Sequence, residues 1–422
     1  MKKKALLILG GSNDQLFLIK TANEMNIETV VVDGNENAIG FKFATYSKHI
    51  DFSNTNKVIE YCEQLINNGI NLSGVLTMGS DVPHILAKIA KHFDWISPSE
   101  DTAKITTNKY LMKERFSKYK IPIPKYSLIY KSEDIFKYWD LWNCDKIIIK
   151  PTDSAGSRGV SIIENKSQVD ELFLHAKNNS KKGEVIIEEF IEGNQISTET
   201  VIYNDQLFHP GFADRVYDET HNFYPFIMEN GGWQPSNINS EIYDEICKVL
   251  KNVSKAIKLE KGIMKGDIVY SNKYNKVMVI EVASRLSGGD FSASLVPLSS
   301  GINYVKSAIQ IAMNEKPDFN ELKSNKFKIV ANRYFFVEEG ILEEIKNLNQ
   351  INNLSNIKKI EFNYKVGDKI PKIRNHGQRV GVFIVSDDSR ELVQKTIDYI
   401  YKTIRFKVNG KLVSGNPKYY KV

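Results

Sequence analysis

Along the first hundred residues, short apolar runs alternate with stretches whose apolar positions recur at helical spacing. ALLIL, TVVV and GVLT read as strands, and QLFLIKTANEMN, NKVIEYCEQLIN and VPHILAKIAKHF as amphipathic helices. This alternation predicts a parallel sheet with covering helices. Gly10, Gly11 and Ser12 close the first strand, where such folds commonly bind ligands, but no third glycine completes a GxGxxG fingerprint. A dehydrogenase reading therefore has little to rest on.

From about residue 101 the pattern changes. SPSEDTAKITTNKYLMKERFSKYK reads as helices, ended at Ile121-Pro122-Ile123-Pro124, where proline imposes extended backbone. Strands then dominate: DKIIIK, GVSIIE, EVIIEEFI and ISTETVIYN, with helices near 167–178 and 240–258. GDIVYS and KVMVIEVASR flank the turn-forming residues Asn272 to Asn275, which predicts a hairpin. Folded symmetrically about Tyr274, it sets Asp267 opposite Glu281 and puts Val269 and Val279 on their face. Like charges so opposed destabilise a sheet unless something compensates, and a divalent cation held against phosphate oxygens would do so. Arg285, four residues past Glu281, shares that face if the strand continues. A solvated hairpin with scattered charges is the alternative. Near residue 318 a third region begins, with strands KIVANRYFFV, IKKIEFNY and RVGVFIVS and the helix DSRELVQKTIDYIYKTI.

Composition narrows the classes. A hydrophobic content of 42% and a charged content of 26% are those of a globular protein with a sizeable core. The net charge of +6 comes from scattered lysines without a dense stripe, which gives no indication of nucleic-acid binding. Cys62, Cys144 and Cys247 have no metal-ligand spacing, and an odd count argues against a disulfide framework. The apolar run after MKKK is five residues long, too short for a signal peptide, and no stretch is long enough to span a bilayer, so a cytoplasmic protein is expected.

DKIIIKPTDSAGSRGVSIIE sets Lys150 at a strand end before a loop rich in Gly and Ser. Gly156 and Gly159 allow positive φ, so backbone N–H groups could face an anion, with Ser154 and Ser157 adding hydroxyls and Lys150 a point charge. No Gly-Lys-Ser/Thr is present, so it is no Walker A motif. A hairpin lid over phosphates fits, and so does an ordinary flexible hairpin. In EVIIEEFIEG, Glu188, Glu189, Phe190 and Ile191 could form a linker that holds an adenine through backbone groups, or a plain edge strand. HPGFADRVYDETHNFYPFIMENGGWQPSNI breaks the strand pattern as a substrate loop would, making His209, Arg215 and Glu229 candidates for an acceptor pocket. Gly288 and Gly289 either let substrate approach the backbone or end the strand. His84 and His92 lie in helical stretches and read as structural.

TNKYLMKERFSKYKIPIPKY, IIIKPTDSAGSRGV, VIIEEFIEG and IEVASR, in this order and spacing, resemble the ATP-grasp superfamily, in particular its carboxylate–amine ligase branch. The resemblance covers nearly the whole chain. It implies a Rossmann-like parallel-sheet domain over 1–105, an ATP-grasp domain over 106–317 and a biotin-carboxylase-like α+β domain over 318–422. It further implies Lys109 and Lys150 on the ATP phosphates, Ser154 to Gly159 in the lid, and the backbone of Glu189 and Ile191 on adenine. Asp267 and Glu281 would bind Mg²⁺ (or Mn²⁺), and Arg285 would stabilise an acyl phosphate. Two positions depart from the family pattern. Gln195 stands where many relatives carry a ribose-binding acid, leaving that work to Glu192 or Gln195, and Ala283 stands where a further metal ligand is often found. The implied reaction joins a small-molecule carboxylate and an amine through an acyl phosphate, with no nucleic-acid or membrane partner, and a homodimer is common in such enzymes. A bicarbonate-dependent carboxylase and a non-catalytic ATP-binding module are the alternatives.

Overall fold

The computed structural model describes residues 3–351 and 353–419. Its N-terminal sheet is four-stranded and wholly parallel, in the order Tyr46–His49, Glu28–Asp33, Lys4–Leu9, Asn71–Leu76. The strand Tyr46–His49 is an addition to the elements expected. It carries YSKH, largely exposed at the sheet edge, and so has no apolar run to announce it. On one face lie the helices Thr55–Asn67 and Pro83–Phe93, through Val58, Cys62, Ile85 and Ile89. The other face is covered by Leu18 and Ile19 and by the distant helix Tyr304–Ala312. Gly74 makes that approach possible, because a Cβ there would lie 2.4 Å from the Ala312 carbonyl oxygen.

A second four-stranded sheet runs Tyr126–Ile129, Val185–Glu189, Ile147–Pro151, Ser161–Ile163. The helices Asp134–Trp142 and Val169–Asn178 close its apolar face around Ile147, Ile149 and Ile187. The largest sheet has eight strands in the order Lys276–Ala283, Lys261–Ser271, Gly193–Tyr203, Gln206–Arg215, Gly232–Gln234, Ile329–Phe335, Gly381–Asp387, Ile357–Phe362. It runs without a break from the region around 200 into the region around 380. The helix Ser240–Ala256 packs on one face through Ile246, Leu250 and Val253. Among the described residues no helix is long and apolar enough to cross a membrane.

Two expectations are corrected here. HPGFADR is not a loop: it belongs to the ten-residue strand Gln206–Arg215. Pro210 is tolerated because the ladder to Gly193–Tyr203 bulges between Phe208 and Gly211, while the strand's other neighbour pairs only with Asp214 and Arg215. The irregular substrate segment therefore begins after Arg215. In the hairpin, Asp267 does pair with Glu281, but a bulge at Ile280 shifts the register beyond them. Val269 pairs with Met278 and packs with Ile191 on one face, whereas Val279 pairs with Ile268 and packs with Leu250 on the other. Val269 and Val279 thus occupy opposite faces.

Candidate active site

Where the small sheet meets the large one, a buried carboxylate is shared by two lysines. Glu188, at the end of strand Val185–Glu189, receives Lys150 Nζ at 2.7 Å and Lys113 Nζ at 3.4 Å. Burial alone would raise its carboxyl, but the two ammonium groups hold it below the ordinary value. Lys113 is 1% exposed, donates to the Val279 carbonyl at 3.2 Å, and has its pKa pushed down to about 8 by burial, against the pull of Glu188. It was not foreseen, although the helix Lys109–Lys118 puts it one turn past Lys109, on the same face.

The linker follows. The Glu189 N–H donates to Lys125 O at 2.9 Å and the Phe190 N–H to Lys146 O at 3.3 Å, so Ile191 is the linker residue left to offer a base its amide. The Glu189 N–H is thus engaged within the protein, which leaves the carbonyl of this residue for the expected backbone contact to adenine. Its side chain is held from the hairpin turn, by Lys273 Nζ at 2.7 Å and the Tyr274 hydroxyl at 2.7 Å. Ile191 packs with Val269 and Met278 as an apolar wall, and Gln195 stands opposite Val269.

The loop after Lys150 turns through left-handed backbone at Gly156, Ser157 and Gly159. Gly159 is confined twice over, since a Cβ would also come within 2.6 Å of the Asn179 side chain and 2.7 Å of Pro151. Lys109 reaches the loop, with Nζ 2.7 Å from Ser154 O, and also pairs with Glu281 at 3.1 Å.

Across the hairpin from Glu281, Asp267 is gripped by two cations. Arg215 Nη1 lies 2.5 Å from Oδ1 and Lys265 Nζ 2.5 Å from Oδ2. Burial works to raise this carboxyl, and the two cations overcome it and hold it well below the ordinary range. The other end of the Arg215 fork is ion-paired with Glu229. The Glu229 amide in turn donates to His376 Nε2 at 3.3 Å, and the same nitrogen is 3.0 Å from the Ser157 hydroxyl. The contacts close a ring: loop, Lys109, Glu281, Asp267, Arg215, Glu229, His376 and the loop again. Neither His376 nor Lys265 was singled out from the sequence. Lys265 could have been, because two residues before Asp267 on a strand is the same face. His376 carries no such local sign.

The strand ends at Ala283, short of Arg285, so the expected continuation of its face does not hold. Arg285 is fixed instead by the N-terminal region: Nε donates to Asp81 at 2.7 Å, and Nη1 to the Leu286 carbonyl at 3.0 Å. Asp81 follows the fourth strand of the parallel sheet, at the carboxyl end where such sheets bind ligands, and it too was overlooked. What approaches Gly288 is another backbone: a Cβ there would lie 3.0 Å from Gly79 Cα, and the Gly79 N–H donates to Leu286 O at 3.2 Å. Gly289, in left-handed backbone, faces the Tyr334 hydroxyl.

His209 is brought elsewhere. Its Nδ1 meets the Thr200 hydroxyl at 3.1 Å and its ring packs on Phe212, beneath the helix Ser240–Ala256, where burial pushes its pKa down to about 4. It is a structural residue rather than part of an acceptor pocket. Behind the site, buried Glu199 accepts from Ser287 at 2.5 Å and Tyr304 at 2.7 Å. Burial raises its pKa to about 7, although both hydroxyls pull the other way. Among the described residues no three His, Cys, Asp or Glu side chains cluster as a metal cage.

Residues 106–289 match the ATP-grasp domain, and residues 333–409 match the L-amino acid ligase C-terminal domain 2. Among curated proteins, the formate-dependent phosphoribosylglycinamide formyltransferase of Prochlorococcus marinus (strain MIT 9312) is 25% identical over 429 residues, covering 97% of this chain and 98% of its own. Phosphoribosylglycinamide synthetase from Anaerococcus prevotii superposes with a TM-score of 0.73 at 26% identity, covering 97% of this chain and 100% of its own. The L-amino acid ligase from Bacillus licheniformis gives a TM-score of 0.81 at 17% identity, covering 96% and 99%. The glycine loop, the two lysines and the opposed acids all fall within residues 106–289, and this part of the chain is an ATP-grasp domain.

Proposed function

We propose that this protein is an ATP-dependent ligase that joins a carboxylate to an amine, releasing ADP and phosphate. The observation that carries the reading is the ring itself: Lys109, the glycine loop and the opposed pair Asp267 and Glu281 are joined by one closed chain of contacts. A substrate carboxylate oxygen attacks the γ-phosphorus of ATP as the bond to the bridging oxygen breaks, and ADP leaves. The amine nitrogen then attacks the acyl carbon of the mixed anhydride, the carbon–oxygen bond to phosphate breaks, and the nitrogen gives up a proton.

Positioning and charge neutralisation are most of what such a transfer asks of a protein. Lys150 and Lys109 would meet the phosphate oxygens, and the linker amide of Ile191 the base. The loop Ser154 to Gly159 covers the phosphates and keeps water from the acyl phosphate. Arg285, with Nε and Nη1 engaged, has Nη2 for the acyl-phosphate oxygens. Asp267 and Glu281 are opposed hard oxygen donors that would suit Mg²⁺ completed by phosphate oxygens, despite Ala283, once the cation displaces Arg215, Lys265 and Lys109 from them. The bound cation would neutralise charge building on the transferred phosphoryl group.

The acid and the amine are small molecules. The formate-dependent relative argues for including one-carbon acids among the candidates. The test is ADP release by the purified protein with Mg²⁺ across acids, including formate and bicarbonate, crossed with amines. Release that needs both an acid and an amine, with a condensed product by mass, is the expected result. Release with bicarbonate alone would favour the carboxylase reading, and ATP binding without any turnover a non-catalytic module.

A further inference from the structure

The ring around the cleft closes at one residue from the far end of the chain. His376 lies 219 residues from Ser157 and 147 from Glu229, yet it touches both. Its own N–H donates to the Gly156 carbonyl at 3.1 Å. Its Nε2 accepts from the Glu229 amide, which puts the ring proton on Nδ1 and makes the Ser157 hydroxyl a second donor. The histidine is held rigidly in turn. Arg379 Nε donates to the His376 carbonyl at 2.9 Å, Arg379 Nη1 donates to the Glu229 carbonyl at 3.2 Å, and the Arg379 guanidinium stacks over the Tyr334 ring at 3.5 Å. Burial, followed by the nearby Arg379, Arg215 and Lys265, keeps the imidazole neutral. Nε2 therefore stands as an acceptor at this point. The loop has few other ties: Gly156 and Arg158 are exposed, and Lys109 holds only its near end, at Ser154.

We propose that His376 is a positioning residue that latches the glycine loop onto the Glu229 segment, so that closing the loop and setting the Arg215–Asp267 clamp are one event. This rests on the reading that the loop covers the phosphates of ATP. The imidazole holds the loop by its one side-chain tie at Ser157, beside the backbone bond at Gly156, and fixes the backbone of the residue that steers Arg215. Loss of the latch then leaks intermediate to water rather than merely slowing the enzyme.

The test is hydrogen exchange in residues 154–160 of the full chain, first without nucleotide and then with Mg²⁺ and a non-hydrolysable ATP analogue. His376→Ala should raise exchange in this loop at least several-fold while the melting temperature and exchange elsewhere stay as they were. His376→Gln, whose amide oxygen can accept from both Ser157 and Glu229, should restore most of the protection. With an acid and amine pair that turns over, His376→Ala should also raise the ADP released per product formed from about one to several. Unchanged loop exchange in His376→Ala, or a rise spread evenly through the protein with no rescue by Gln, overturns the proposal. Should His376→Ala fail to fold, Ser157→Ala removes the same bond from the loop side and gives the same reading. The nucleotide-free arm judges the latch alone; absence of any protection by the analogue in the wild type would count against ATP binding instead.

Discussion

At the linker end of the cleft one carboxylate, Glu188, is shared by two lysines, whereas at the hairpin end one arginine, Arg215, is shared by two carboxylates, Asp267 and Glu229. The first triad has one positive charge to spare and the second one negative. A surplus cation at a buried site draws in an anion, and a surplus carboxylate draws in a cation. Under the proposed function the two ends take different parts of one ligand, phosphate oxygens at the lysines and a divalent ion at the acids, where it would displace the protein cations. Lys265 cancels the second surplus, so that end is neutral in itself and its Asp267 is held by protein cations until a ligand displaces them.

The largest effects should separate the ends by function. Glu281→Gln should cut turnover roughly a thousandfold with nucleotide affinity in the absence of metal little changed. Lys150→Met should instead weaken nucleotide binding about 10–100-fold, because it removes a charge-assisted bond. Calorimetry of nucleotide binding beside steady-state rates checks both, and equal losses of binding in the two variants would erase the distinction. Next comes stability. Glu188→Ala leaves two buried ammonium groups without an anionic partner and should cost about 3–5 kcal/mol in chemical denaturation. A cost below about 1 kcal/mol would mean that water reaches these lysines and that the triad is not a buried unit.

The smallest effect is a pH dependence that belongs to the linker end alone. Lys113 titrates at about 8 in the folded protein against an ordinary 10.5, so between these values the unfolded chain holds a proton that the folded one has released. Stability from this group is therefore gained as pH rises from about 8 towards 10.5 and is lost as pH falls back through 8. Lys113→Met should flatten that rise by on the order of 2 kcal/mol. Unfolding free energies at pH 7.5, 9 and 10 compare the slopes, and parallel slopes would show Lys113 to be protonated throughout.

The two ends also differ in how far the sequence discloses them. Lys109 and Lys113 lie a turn apart on one helix, and Lys150 and Glu188 on adjacent strands of one small sheet. Local periodicity reaches all four, even though Lys113 was passed over. Opposition of Asp267 and Glu281 follows from counting outward from the turn, and that count succeeded at the site end only because the Ile280 bulge restores the register it assumes. The rest of the hairpin end is assembled over long separations. Asp81 meets Arg285 across 204 residues, and His376 meets Ser157 across 219. Neither has a neighbouring residue whose spacing points to its partner. The strand Gln206–Arg215 was hidden for a related reason: Pro210 and Gly211 argue locally against a strand, and only its pairing with Gly193–Tyr203 overrides them.

The eight-stranded sheet has a consequence for evolution and for engineering alike. The stretch matching the ATP-grasp domain stops at residue 289, but its last-added strand, Gly232–Gln234, is only three residues long and is backed by Val330, Ala331 and Asn332. Gly231 is fitted so closely to that neighbour that a Cβ would sit 2.1 Å from the Asn332 carbonyl oxygen. An excised segment ending at 289 would bare a row of unpaired amides beside the residues that flank Glu229. Chimeras that exchange acceptor specificity between relatives therefore have to carry Ile329–Phe335 with the catalytic half, because the seam between the two matched regions runs through a hydrogen-bonded ladder and not through a linker.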